Sequence, residues 1–251
     1  MTASKKNVAV AEEKVTAMAA YEERPSFAGT GRGSEQVAVD DLTIPRIGIV
    51  QDLSPERKRN DANYIEGAEE GMMFNSVTRE LYTGPILVIP VYYRKEFILW
   101  KPRKEGGGFR GVFPSMEQAM RAQASLDENV DIKDTGQQFV LVSSDGGATW
   151  SEAVLTMSGS NMTVSKKWNA DLRLKECDRF ATVYEVSAIQ KTNSQGTFYV
   201  FKIIWKGWAK EEWYHQAEQT YLAIKAGQKD VAREEGDFEP ELAPGSQEEL
   251  F

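Results

Sequence analysis

The sequence has one cysteine, Cys177, and one histidine, His215, among 251 residues. A lone cysteine excludes an intrachain disulfide framework and a zinc site built from several cysteines. A lone histidine restricts Ser-His-Asp and Cys-His arrangements to one residue, and no nucleophile turn surrounds Cys177 or any serine. Long apolar runs are missing too: none approaches the roughly 20 residues that a membrane span needs. Met1 to Ala20 carries lysines but no continuous apolar stretch of a secretory signal. A cytoplasmic location without membrane attachment is the simplest expectation. Gly29-Thr-Gly-Arg-Gly33 lacks the Gly-Lys-Ser/Thr ending of a phosphate loop, so no nucleotide cofactor is expected, and no metal.

An excess of positive charge is also absent. The net charge is -8, the wrong sign for a chain that holds phosphates through lysine and arginine. Its distribution changes that reading. From Asp230 onward the acids are Asp230, Glu234, Glu235, Asp237, Glu239, Glu241, Glu248 and Glu249, opposed by Arg233 alone. The acidity therefore belongs to the tail, and the rest of the chain is close to neutral. Between Asn161 and Lys210 cations prevail: Lys166, Lys167, Arg173, Lys175, Arg179, Lys191, Lys202, Lys206 and Lys210, against Asp171, Glu176, Asp178 and Glu185.

Three regions are expected. Residues 1–40 are rich in Ala, Glu, Lys, Gly and Ser and read as a flexible arm, with room for a short helix over Val8 to Ala20. Residues 41–229 carry the strand candidates. They are Ile44 to Val50, then Gly84 to Tyr93 and Phe97 to Lys101 across a tight Arg-Lys-Glu turn, Gln138 to Ser143 and Ala153 to Met157, and a long hairpin of Phe180 to Lys191 with Thr197 to Trp208. Helices are expected over Ser115 to Leu126, where Ser115 and Gln118 have capping-box spacing, over Met162 to Leu174, and over Lys210 to Ala226, which stops at Gly227. Many strands with few helices imply a mainly β, antiparallel domain, preferentially a partly open OB-like barrel. Residues 230–251, punctuated by Pro240, Pro244 and Gly245, bury too little to fold alone and read as a disordered acidic tail.

Two motifs invite chemistry. Ser143-Ser-Asp-Gly-Gly-Ala-Thr-Trp150 resembles the Asp-box hairpin of sialidase propellers. Sialidases repeat it and this chain has one copy, so a structural turn is expected. The recurrent pattern is cations interleaved with aromatics, as in proteins that stack bases on rings and track phosphates with lysine and arginine. It occurs at Tyr92-Tyr-Arg-Lys95, at Trp100-Lys-Pro-Arg-Lys104, at Phe109-Arg110 beside the mobile-looking Gly106-Gly-Gly108, at Lys166-Lys-Trp168, and along Thr197 to Trp208. In that last stretch strict alternation puts Phe198, Lys202, Lys206 and Trp208 on one face, and Tyr199, Phe201, Ile203 and Trp205 on a core face.

A basic, aromatic β-domain followed by an acidic tail that ends Glu248-Glu-Leu-Phe251 resembles the single-stranded-DNA-binding proteins of bacteriophages and bacteria. Asp237-Phe-Glu-Pro-Glu241 adds to the likeness. Asp41 to Ile47, Asn75 to Thr78 and Trp100 to Arg103 look like parts of phage replication-region proteins. The resemblance implies binding of single-stranded DNA without base specificity, in replication or recombination, in the host cytoplasm, with no catalysis. It also implies that Leu250 and Phe251 dock into a polymerase, primase or helicase. Phosphate contacts are expected from Arg94, Lys101, Arg103, Lys104, Arg110, Lys166, Lys167, Lys202 and Lys206, and stacking from Trp100, Phe109, Trp168, Phe198 and Trp208. A homo-oligomer is left open. The alternatives are a metal-dependent nuclease using Asp171, Glu176 and Asp178, and a structural or host-takeover protein without DNA affinity.

Overall fold

Three short strands come first in the computed structural model: β1 (Ile47–Ile49), β2 (Met73–Asn75) and β3 (Leu81–Tyr82), antiparallel and in that order across a small sheet. The structure describes residues 33, 44–102, 107–194 and 196–228. The expected arm and its helix, Arg103, Lys104, and the acidic tail with Leu250 and Phe251 lie outside the described residues. The larger sheet contains β4 (Ile86–Lys101), β5 (Gly108–Phe113), β6 (Asp131–Ser143), β7 (Ser151–Ser158), β8 (Thr182–Asn193) and β9 (Gly196–Trp208). Its order is β7-β6-β4-β8-β9, with β5 also paired to β4. The α-helices among the described residues are α1 (Met116–Ser125), α2 (Ser160–Leu174) and α3 (Glu211–Lys225). The protein is thus mainly antiparallel β with a few helices, as expected, and its sheets do not close into a barrel. No helix among the described residues is long and apolar enough to cross a membrane.

β4 departs from the expected pair of strands, because its Arg94-Lys-Glu96 segment is not a turn. These residues stay extended and pair with Gln137, Gly136 and Thr135 of β6. The charges are accommodated individually. Arg94 lies over the Phe139 ring at 5.1 Å, and buried Glu96 accepts from Gln137 Nε2 at 3.3 Å. Pro90 cannot donate to a ladder, and the pairing shifts between Pro90 and Tyr92, which leaves Val91 as a bulge. The glycine-rich segment read as a mobile loop is also ordered at its end: β5 pairs Phe109 with Trp100 and Phe113 with Phe97.

The large sheet buries both faces. On one face, Val88, Val140, Val142, Leu155, Tyr184, Val186 and Phe201 pack under Trp168 and Leu172 of α2 and against Ile47, Met73 and Tyr82 of the small sheet. On the other, Ile89, Phe139, Leu141, Val154 and Val183 pack against Ala217 and Ile224 of α3. Adjacent β6 residues therefore enter opposite cores, and its sequence reads as a continuous apolar run rather than an alternation. α1 covers the outer part of β4 through Ala119 against Phe97 and Leu99. Its N-cap is the one expected, with Ser115 Oγ accepting from the Gln118 N–H at 3.3 Å.

The Asp-box-like turn is structural, as expected. Asp145 Oδ1 accepts from Ser143 Oγ at 2.6 Å, Ala148 N at 2.9 Å and Thr149 N at 3.0 Å, and its Oδ2 accepts from Thr149 Oγ1 at 2.6 Å. These hydrogen bonds, that from Ser143 foremost, hold its carboxyl well below the usual carboxylate range. Gly147 has φ +95°, and a Cβ there would sit 2.9 Å from the Trp213 ring. Trp150 meets Trp213 at 5.1 Å between centroids, so the turn anchors α3.

Candidate nucleic-acid interface

The open aromatic surface of the protein is made by a backbone irregularity. Trp208 pairs with Thr182, Gly207 with Val183 and Trp205 with Tyr184, so Lys206 is one residue too many for the ladder. Such a bulge resets the alternation of side chains. Trp205 and Trp208, three apart and expected on opposite faces, come to lie together, ring centroids 6.1 Å apart and nearly perpendicular. They are 46% and 58% exposed. Trp205 is therefore not a core residue, which corrects the expectation from strict alternation. Tryptophan is among the most buried residue types on average, so two open rings in contact need a reason.

Cations frame the pair. Lys175, just past the end of α2, holds its Nζ 4.4 Å from the Trp205 ring centroid, a cation–π geometry, while pairing with Asp171 at 3.4 Å. Lys206 pairs with Glu185 at 3.1 Å. Lys166, Lys167 and Arg173 on α2 and Lys202 on β9 are exposed and have no ion pair among the described residues. No described carboxylate offsets the charge of these four.

The other expected contacts divide into two groups. Trp100 and Trp168 are 5% and 3% exposed, so neither offers a ring face to a base. Trp168 meets Tyr184 edge-on at 5.4 Å. The period of α2 explains the difference from its neighbours: Met162, Ser165, Trp168 and Leu172 face inward, whereas Lys166 and Lys167 face water. Phe109 and Phe198 are half-buried. The second group sits along β4, away from the tryptophan pair. Arg94 lies over Phe139 and 3.6 Å from Glu96. Lys101 Nζ and the Arg110 guanidinium both donate to Glu128, the former at 2.9 Å. Hydrogen bonds from Arg110 and then Lys101 lower the Glu128 carboxyl to about 2. The depressed value keeps that counter-charge in place until the pH falls through about 2. Only substitution removes it at working pH. Glu128→Gln removes the carboxylate that both cations share and should tighten oligonucleotide binding about 2- to 5-fold at low salt, with a steeper salt dependence. Fluorescence anisotropy across a salt series measures this, and an unchanged salt slope would show that this arm does not touch phosphate.

β5 and β8 lie on the same edge of β4, β5 along Phe97–Lys101 and β8 along Ile86–Val88. Between them no described strand pairs with that edge of β4, which there carries Tyr92, Tyr93, Arg94 and Lys95. β8 and β5 thus flank an interrupted stretch of β4.

Carboxylates are spent elsewhere. Asp171 Oδ2 accepts from the Tyr184 hydroxyl at 2.7 Å, and Asp178 Oδ2 accepts from the Tyr214 hydroxyl at 2.8 Å. Burial first, and then the Asp171 contact, push the Tyr184 hydroxyl up. No group of three His, Cys, Asp or Glu among the described residues is placed to hold a metal ion. His215 is exposed on α3 between Glu211 and Glu218.

Three site residues, Trp205, Lys175 and Arg173, were absent from the expected contacts. Gly207 was the available signal, since a glycine inside a strand marks a bulge or a close approach. The family model described as Pam3 phage gp34-like protein matches residues 11–230 of the chain. No curated protein and no solved structure matches it.

Proposed function

We propose, from the premise that the chain belongs to the Pam3 phage gp34-like protein family, that this phage protein binds single-stranded DNA without base specificity and is not an enzyme. The observation that carries the reading is the exposed Trp205–Trp208 pair with Lys175 over one ring. Every base has a π-face, so an open ring accepts any of them, and each stacked base contributes roughly 1–3 kcal/mol. Lys166, Lys167, Arg173 and Lys202, without an ion pair among the described residues, supply the phosphate attraction that makes such binding salt-dependent. Further support is the segregation of acidic charge into residues 230–251, which leaves this region locally basic. In this reading the tail serves replication or recombination by presenting Leu250 and Phe251 to a polymerase, primase or helicase.

Titration with an oligo-dT tests the reading. Tryptophan fluorescence should be quenched, because the two exposed rings take up bases. The affinity should fall at least tenfold between roughly 50 and 200 mM salt, as expected for several phosphate contacts. Absence of quenching at low salt would overturn the assignment. A labelled strand incubated with magnesium should stay intact, whereas a nuclease would degrade it.

A further inference from the structure

Arg179, in the short 3-10 turn Arg179–Ala181 between α2 and β8, is a half-buried cation with no acid beside it among the described residues. Three other half-buried cations each have one: Arg94 has Glu96 at 3.6 Å, Lys101 has Glu128 at 2.9 Å, and Lys175 has Asp171 at 3.4 Å. Around Arg179 no described carboxylate lies within ion-pair distance. Its Nη1 donates to Asn169 Oδ1 at 3.0 Å and its Nη2 to Gln138 Oε1 at 2.6 Å, both neutral amides. The Tyr93 ring lies 5.9 Å away. Its Nε is fully buried and has no hydrogen-bond partner. Asp178, the preceding residue, is turned to the Tyr214 hydroxyl instead.

The cradle is braced. Gln138 is completely buried, and its Nε2 donates to Ser165 Oγ at 2.9 Å and to Asn169 Oδ1 at 3.2 Å, which directs its carbonyl oxygen to the guanidinium. Tyr93, Asn169 and Arg179 are each half-buried, so the cradle reaches solvent. On α2, Lys166 and Arg173 lie three residues before and four after Asn169 and therefore share its stripe. Both are exposed and without an ion pair among the described residues. Burial draws the guanidinium down only to about 10, so it stays charged at neutral pH. A desolvated cation without a counter-charge is costly, a planar fork of donors matches carboxylate and phosphate geometry, and the two further cations beside it, Lys166 and Arg173, favour the more highly charged phosphate.

We propose that Arg179, held by Gln138 and Asn169 and flanked by Lys166 and Arg173, is a phosphate-binding site. The phosphate comes from a DNA backbone or from a free nucleotide, which share this chemistry. The site does not depend on the tryptophan pair and would stand if the single-strand reading failed.

Isothermal titration of the full chain with inorganic phosphate, against chloride at equal ionic strength, tests it directly. Saturable binding is expected, weakened at least tenfold in Arg179→Gln. If that variant does not fold, the surface pair Lys166→Gln with Arg173→Gln should still weaken phosphate binding several-fold. No phosphate-specific binding by the wild-type chain would overturn the proposal, as would unchanged binding in a folded Arg179→Gln. Thymidine monophosphate and oligo-dT separate the sources. A backbone phosphate predicts that Arg179→Gln lowers the salt slope of oligo-dT binding by about one contact and that inorganic phosphate competes. A free nucleotide predicts that the monophosphate binds more tightly than inorganic phosphate, with oligo-dT affinity untouched.

Discussion

Replacing Trp205 and Trp208 together with alanine should lower oligo-dT affinity by about 30-fold to about 10⁴-fold while leaving the fold intact. Each lost stack is worth roughly 1–3 kcal/mol, and about 1.4 kcal/mol is a factor of ten in affinity. The fold should survive because both rings are about half exposed and lie at the end of an outer strand. The expected signature is a weaker complex with the same salt slope, since no phosphate contact is removed. Anisotropy over a salt series, with a melting curve as control, measures both. An affinity within threefold of wild type would mean that bases do not stack there. Lys175→Ala should have a smaller effect in the same direction, because it removes one cation over Trp205 and leaves both rings.

Trp168→Ala should act in the opposite way, costing stability rather than binding. The side chain is buried between α2 and the sheet, edge-on to Tyr184 and beside Leu172. Truncating a core tryptophan costs about 3–5 kcal/mol, through lost transfer energy and the cavity left behind. A domain is stable by only about 5–15 kcal/mol, so the urea midpoint should fall steeply or the variant should be largely unfolded. If Trp168 were a stacking residue, the same substitution would leave the midpoint in place and weaken DNA binding.

The contrast between these tryptophans shows how far the sequence could be read. Lys166-Lys-Trp168 and Trp205-Lys-Gly-Trp208 have the same local chemistry, a tryptophan beside lysines. One ring is in the core and the other pair is open. Beyond Gly207, which marks the bulge, burial depends on which distant elements pack above each ring. Trp168 is covered because it faces the sheet, where Tyr184 and Leu155 meet it. Trp205 and Trp208 are open because β9 ends the sheet and α2 has already stopped at Leu174. The bulge at Lys206 shifts the frame in which a period of two can be counted.

Local signals determined much else. The Ser115 cap, the Ser143–Trp150 turn and the stop of α3 before Gly227 all rest on interactions within a few residues, and they form where the sequence places them. The antiparallel, mainly β class followed from the number of short strand patterns separated by turns. What tertiary structure alone decided was the continuity of β4 through Arg94-Lys-Glu96, where pairing with β6 outweighs three adjacent charges. It also decided that Lys101 and Arg110 share Glu128, that Arg179 has no acid beside it among the described residues, and that two tryptophans share one face. The reason is one and the same. Caps, turns and periodicity are short-range properties written into neighbouring residues. Pair formation, burial and the absence of a counter-charge depend on residues brought together from far along the chain.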